Sequence, residues 1–227
     1  MRHPAQAAPA NRMSLFRHAR FETSIAKPSG LPDSDAPEIA FVGRSNAGKS
    51  SALNTLVGHN RLAFVSKTPG RTQLINFFRL PSGVALVDLP GYGYASVPEA
   101  VRRQWTNLLE RYLSSRPNVI GVVHLMDSRH PLTPLDRQML DWFAPTGRPV
   151  HILLTKSDKL SRGPAAATLM EVRSQLPQWG DNVTAQLFSS LKKTGIEETE
   201  RVVGNWLEAL IPDPEKQKPP AEEEGRG

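Results

Sequence analysis

Four apolar residues, Ile39-Ala40-Phe41-Val42, run directly into Gly43-Arg44-Ser45-Asn46-Ala47-Gly48-Lys49-Ser50. Apolar residues without alternation need burial on both faces, as in a central strand of a parallel sheet. Residues 49–57 then place Leu53, Leu56 and Val57 on one side, the spacing of a helix. A buried strand, a glycine-bounded turn and a helix in immediate succession leave few folds open. The unit has to sit in a sheet that carries helices on both faces. The loop also fits G-x-x-x-x-G-K-[ST]. In that pattern backbone N–H groups wrap a phosphate chain, the lysine reaches the β and γ phosphates, and the hydroxyl ligates Mg²⁺. The helix N-terminus adds the positive end of its dipole.

The rest of the chain continues the alternation. Residues 74–80 and 84–87 read as strands joined by Pro81-Ser82-Gly83, a link so short that the pair must be an antiparallel hairpin. A helix over 98–115 carries Val101, Trp105, Leu108 and Tyr112 on one stripe. A strand over 119–126, a proline-started helix over 134–143, a strand over 150–154, a helix over 165–176 and a strand over 185–188 follow. A closing helix over 195–210 turns Ile196, Val203, Trp206 and Leu210 inward. This predicts a three-layer α/β fold around a mostly parallel six-stranded sheet with one antiparallel strand. In such sheets ligands bind beyond the carboxyl ends of the strands.

The 227 residues suit one domain with tails. Nine of the twenty prolines fall in residues 1–37 or 212–227, which marks poorly packed ends. The expected organisation is a disordered extension over 1–12, a segment over 13–35 that packs through Leu15, Phe16, Phe21 and Ile25, a domain over 36–211, and a disordered acidic, proline-rich tail over 212–227. Met13 is an alternative start. The absence of cysteine excludes disulfides, thiolate metal sites and a cysteine nucleophile. The tail carries a net −2, so the remaining 211 residues carry +8, compatible with nucleic acid or simply with a solvated basic surface. No stretch approaches a membrane span, and the N-terminus lacks the apolar core of a secretory signal. A cytoplasmic monomer is expected.

Three further motifs follow strands. Asp88, with Leu89-Pro90-Gly91 after it, can hold Mg²⁺ through a water, while the Gly91 N–H meets a γ-phosphate. Thr155-Lys156-Ser157-Asp158 offers a carboxylate that can accept hydrogen bonds from N1–H and the 2-amino group of guanine, donors that adenine lacks. Phe188-Ser189-Ser190 can present backbone N–H groups to the guanine O6. Taken singly, each is also ordinary loop chemistry. Taken in order after a phosphate loop, they describe a guanine-nucleotide switch domain. Between the first helix and the hairpin lies Lys67-Thr68-Pro69-Gly70-Arg71-Thr72-Gln73-Leu74, where a first switch loop belongs. Thr72, with Thr68 as rival, is the expected γ-phosphate sensor and second Mg²⁺ ligand beside Ser50.

Gly-Arg-Ser-Asn-Ala-Gly-Lys-Ser, Lys-Thr-Pro-Gly-Arg-Thr-Gln, Asp-Leu-Pro-Gly-Tyr-Gly-Tyr-Ala and Thr-Lys-Ser-Asp together resemble the EngB (YihA/YsxC) family, within the TrmE-Era-EngA-EngB-septin-like class of GTPases. The resemblance covers about residues 13–211. It implies a Mg²⁺-dependent GTPase that binds GTP and GDP, assists assembly of the large ribosomal subunit, and is needed for cell division and septation. It also implies nucleotide contacts from Gly43 to Ser50, Gly70 to Leu74, Asp88 to Gly91, Thr155 to Asp158 and Phe188 to Ser190. Lys49, Thr72, Gly91 and Asn46 are the residues expected to promote hydrolysis.

Many switch GTPases carry glutamine after Asp-x-x-Gly to orient the attacking water. Here Tyr92 stands there, and its phenol cannot imitate an amide. Slow intrinsic hydrolysis is therefore expected, completed by a ribosomal partner or by K⁺ held at Asn46. A GTP-holding division module with little turnover, or a P-loop kinase, are the competing readings. Tyr92 and Tyr94 can stack on RNA bases or cover the sheet edge, and Arg102, Arg103, Arg111 and Arg116 can face RNA or water. His124, His151, Trp142, Trp179 and Trp206 are expected to serve packing.

Overall fold

The computed structural model describes residues 15–59, 62, 74–93 and 99–210, with residues 28 and 99–106 in their backbone only. The elements in chain order are β1 (Arg20–Ile25), β2 (Glu38–Gly43), α1 (Lys49–Val57), β3 (Ile75–Arg79), β4 (Ala85–Asp88), α2 (Glu99–Ser115), β5 (Val119–Asp127), α3 (Pro134–Phe143), β6 (Val150–Thr155), α4 (Arg162–Gln175), β7 (Val183–Leu187) and α5 (Ile196–Glu208). One sheet runs β1-β3-β4-β2-β5-β6-β7. Only β3 opposes the others: it is antiparallel to both β1 and β4, while the remaining pairs are parallel. The α/β class and the single reversed strand are as expected. The sheet has seven strands rather than six, because Arg20–Ile25 adds an edge strand. Its sequence RFETSI alternates too weakly to announce itself, and what seats it is pairing with β3 across a bulge between Phe21 and Thr23.

The unbroken apolar runs are explained by the two packed faces. Ile39 and Phe41 join the layer under α1 and α5, with Leu53, Leu56, Phe188 and Val203. Ala40 and Val42 join the opposite layer with Leu109, Tyr112, Leu113, Leu140 and Phe143. Phe16, ahead of β1, is fully buried in the first layer, and Ile25 in the second. Phe21 remains 56% exposed and Leu210 is exposed, so neither packs inward as expected. The Pro81–Gly83 link closes as a tight hairpin, with Leu80 N–H on the Val84 carbonyl at 2.9 Å.

Beneath the sheet, away from the loops, Glu38 is buried and accepts from the Tyr112 hydroxyl at 2.6 Å and the Arg116 guanidinium at 2.5–2.9 Å. Arg116 also reaches the Pro32 carbonyl. This arginine is therefore an anchor for the end of α2, not part of a basic face. Burial and the neighbouring Glu38 push the Tyr112 phenol well above its ordinary pKa, and the Glu38 hydrogen bonds push Arg116 up. No helix of the described residues is long and apolar enough to cross a membrane.

Candidate functional site

The loop between β2 and α1 lies at the carboxyl edge of the sheet. Gly43 is required by a close approach: a Cβ there would stand 2.7 Å from the Leu125 carbonyl oxygen of β5. Asn46 and Gly48 take left-handed φ values of 63° and 88°, which curl the chain back before α1 starts. The N–H groups of Gly48, Lys49, Ser50 and Ser51 open the helix without intrahelical acceptors. Not all loop amides point to a ligand, however. The N–H of Ser45 donates to the Tyr92 carbonyl at 2.7 Å, and that of Ala47 to the Arg44 carbonyl at 3.0 Å. The donors left at the helix opening are those of Gly48, Lys49, Ser50 and Ser51.

β4 delivers Asp88 beside this loop, where its carboxylate is buried and paired with the Lys49 ammonium. Asn76 of β3 lies 3.5 Å from the other carboxylate oxygen and is itself held by Ser24 of β1 at 2.6 Å. The added edge strand thus buttresses the site. Leu89 and Pro90 are buried, so only their main chain is left to face a ligand. Gly91 follows against the loop: a Cβ on it would stand 3.4 Å from the Ser45 nitrogen.

The third segment locks onto the first. Thr155, buried at the end of β6, aims its hydroxyl at the Ala47 carbonyl at 2.5 Å and the Met126 carbonyl at 3.1 Å. Threonine here clamps the phosphate loop, as its hydroxyl permits. Lys156, at φ 56°, spans to the Asn46 carbonyl at 2.6 Å and the Asp127 carboxylate at 2.9 Å. Asp127 also takes both Nε and Nη2 of Arg129, at 2.9 and 2.7 Å. Burial alone would raise its pKa, but the bonds from Arg129 and Lys156 hold it well below the usual carboxylate range. Sequence reasoning missed Asp127 and Arg129; the signal was an aspartate ending a buried strand, as at Asp88.

Asp158 sits in a short turn after β6 and accepts the Ser189 hydroxyl at 2.6 Å. A carboxylate has about four acceptor positions, so two donors from a base edge still find room. Ser157 binds the Phe188 carbonyl through its N–H at 3.2 Å and its hydroxyl at 3.1 Å. Phe188 and Ser189 are fully buried, and the Ser189 N–H is taken by the Thr194 carbonyl at 3.2 Å. Of the expected pair, Ser189 therefore has its N–H engaged within the fold. Gly70, Arg71, Thr72 and Gln73, like Thr68 and Tyr94, lie outside the described residues, and half-buried Leu74 directly precedes β3.

Tyr92 turns away from the site into the interior, so the sheet-covering expectation holds for it and base stacking does not. His124 and His151 are buried and hydrogen-bonded inside the fold. The placement of the glycine-bounded loop, the buried Asp88 and the turn that carries Asp158 on one sheet edge defines a P-loop GTPase domain.

Comparisons with known proteins agree. The family model described as 50S ribosome-binding GTPase matches residues 38–156. The probable GTP-binding protein EngB of Azoarcus sp. strain BH72 is 71% identical over 196 residues, covering 86% of this chain and 94% of that one. The probable GTP-binding protein EngB of Neisseria meningitidis serogroup B is 61% identical over 199 residues, covering 87% and 95%. Among solved structures, a probable GTP-binding protein engB superposes with a TM-score of 0.59 at 19% identity, over 76% of this chain and 99% of that one. Era in complex with MgGDPNP and a 16S ribosomal RNA segment shares the fold with a TM-score of 0.59 at 18% identity, over 81% and 59%. The chain belongs to the EngB family of GTP-binding proteins.

Proposed function

We propose that the chain is a Mg²⁺-dependent GTP switch and a slow GTPase that acts in assembly of the large ribosomal subunit, and through it in cell division and septation. The observation that carries the switch is the Lys156 bridge. It ties the base-reading loop to the phosphate loop, so one guanine nucleotide can span both. In this reading Gly43–Ser50 hold the phosphates, Asp158 reads the base edge, and Thr155 and Asp127 keep the two halves in register. Gly70–Leu74 contribute nucleotide contacts, with Thr72 as the γ-phosphate sensor.

The donors suit Mg²⁺: the Ser50 hydroxyl and the Asp88 carboxylate are hard oxygens, and Thr72 supplies a third. When bound, the ion neutralises charge developing on the transferred phosphoryl group. Lys49, which here balances Asp88, moves its charge to the phosphates. The Asn46 residue is exposed, which suits the K⁺ role of this reading. Comparable turnover in potassium and sodium buffers would sink that role. The inward aim of Tyr92 supports slow intrinsic hydrolysis, because no side chain of that residue faces the phosphates.

Ribosomal action rests on the description of the matching family and on the Asp88–Ala95 motif. The test is pelleting with purified large subunits, with a non-hydrolysable GTP analogue against GDP at two salt concentrations. Analogue-dependent pelleting that survives the higher salt is expected. Salt-sensitive pelleting indifferent to nucleotide would mean that the +8 body merely adheres to RNA, and the division-module reading would replace this one. For the base, Asp158→Asn should shift preference from GTP to xanthosine triphosphate.

A further inference from the structure

Tyr92 stands where a water-orienting glutamine is common, yet its polar end is fully engaged elsewhere. Its hydroxyl lies 2.6 Å from His124 Nε2 on β5 and 2.9 Å from Asp136 Oδ1 in the first turn of α3. The ring meets His124 edge-on, with centroids 6.2 Å apart. The second Asp136 oxygen accepts from the Thr133 N–H at 2.9 Å and the Thr133 hydroxyl at 2.7 Å. Burial would raise the Asp136 pKa, but the bonds from His124, Thr133 and Tyr92 lower it, so the carboxylate is ionised and can only accept. The phenol therefore donates to Asp136 and accepts the proton on His124 Nε2. The order of donation runs His124 to Tyr92 to Asp136.

The main chain of the same residue is pinned to the phosphate loop. Its carbonyl accepts the Ser45 N–H at 2.7 Å, and its N–H donates to the Gly43 carbonyl at 3.3 Å. One residue thus joins the phosphate loop, β5 and α3. A side chain needed only to fill space would be served by phenylalanine. Burying a phenol, an imidazole and a carboxylate together is costly unless they pair in a defined geometry, and here they do so through His124 Nε2, while His124 Nδ1 has no hydrogen-bond partner among the described residues.

We propose that Tyr92 is a positioning residue: the His124–Tyr92–Asp136 chain holds Gly91 against the phosphate loop, so that its N–H is set for the terminal phosphate of GTP. The inference rests on the GTP-switch reading above. The main chain on either side of Gly91 is held as well, by the Leu89 N–H on the Phe41 carbonyl at 3.1 Å and by the two Tyr92 bonds to the phosphate loop.

The test measures affinities for GDP and for a non-hydrolysable GTP analogue in the full chain, with melting temperatures alongside. Tyr92→Phe keeps the ring and removes both hydrogen bonds. It should lower the preference for the analogue over GDP by about 3- to 10-fold, the range for weakening the one hydrogen bond from the Gly91 N–H to the terminal phosphate. GDP affinity should stay within about twofold. His124→Leu, which removes the donor, should behave alike, and His124→Gln, which keeps an N–H near the Nε2 position, should restore the preference. An unchanged preference in Tyr92→Phe, or equal weakening of both nucleotides with a lowered melting temperature, would overturn the positioning role. Failure of the native chain to bind either nucleotide would instead overturn the GTP-switch reading beneath it.

Discussion

Replacing Thr155 with valine removes one hydroxyl and almost nothing else, because the two side chains have the same shape. The hydroxyl is 2.5 Å from the Ala47 carbonyl and 3.1 Å from that of Met126, and the residue is 3% exposed. Met126 lies in the β5–β6 ladder and has other support. The Ala47 carbonyl would be stranded in the interior, at a cost of about 1–3 kcal/mol. The added methyl recovers part of that, leaving a net loss of about 1–2 kcal/mol. The clamp exists without nucleotide, so the loss falls first on folding. At about 2–4 °C per kcal/mol for a chain of this size, melting should drop by roughly 2–8 °C. The released loop must then be ordered when nucleotide binds, which should weaken GDP by up to about 5- to 30-fold. Thermal melts and a fluorescent-GDP titration measure both, and Thr155→Ser should restore both by keeping the hydroxyl. Wild-type melting and wild-type affinity in the valine variant would refute the clamp.

Asp127→Asn should loosen Lys156 from its carboxylate and weaken GTP and GDP equally, by about 3- to 10-fold, in the same titration. Arg116→Ala strands the buried Glu38 carboxylate and should cost about 3–5 kcal/mol in urea unfolding without altering the nucleotide preference of the folded protein. His151, buried on Thr184 and Gln186 with Arg173 and Arg201 nearby, has its pKa lowered by burial to about 4. The unfolded chain therefore takes up a proton near pH 6.5 that the native state refuses until about pH 4. Stability should fall as pH drops through that window, by up to about 3 kcal/mol, and His151→Asn should flatten this slope in urea melts at stepped pH.

The phosphate loop was legible because it is contiguous. Eight residues in a row specify a strand end, a left-handed turn and a helix start, and the chemistry depends mostly on their backbone. The helix over 134–143 was equally plain, since Thr133 and Asp136 form a capping box around Pro134. The helix expected from 165 begins instead at Arg162, because Ser161 opens it in an extended conformation ahead of the apolar positions. Arg116 was misread as surface charge. A long cation beyond a helix looks the same whether it meets water or a buried glutamate, and Glu38 is 78 positions away.

Local order in the chain was enough to name the layers, the reversed strand and the four loops at one sheet edge. Each depends on propensity, patterning and spacing within about twenty residues, where neighbours in sequence are neighbours in space. Contacts made across the sheet were beyond that reach. Arg20–Ile25 became a strand only by pairing with residues 50 or more positions later. Asp127 became the partner of Lys156, and the Tyr92 hydroxyl turned from the phosphates to His124 and Asp136, only once β4, β2, β5 and β6 lay side by side. A buried polar group must find a partner, and which partner is within hydrogen-bonding distance is settled by packing in three dimensions.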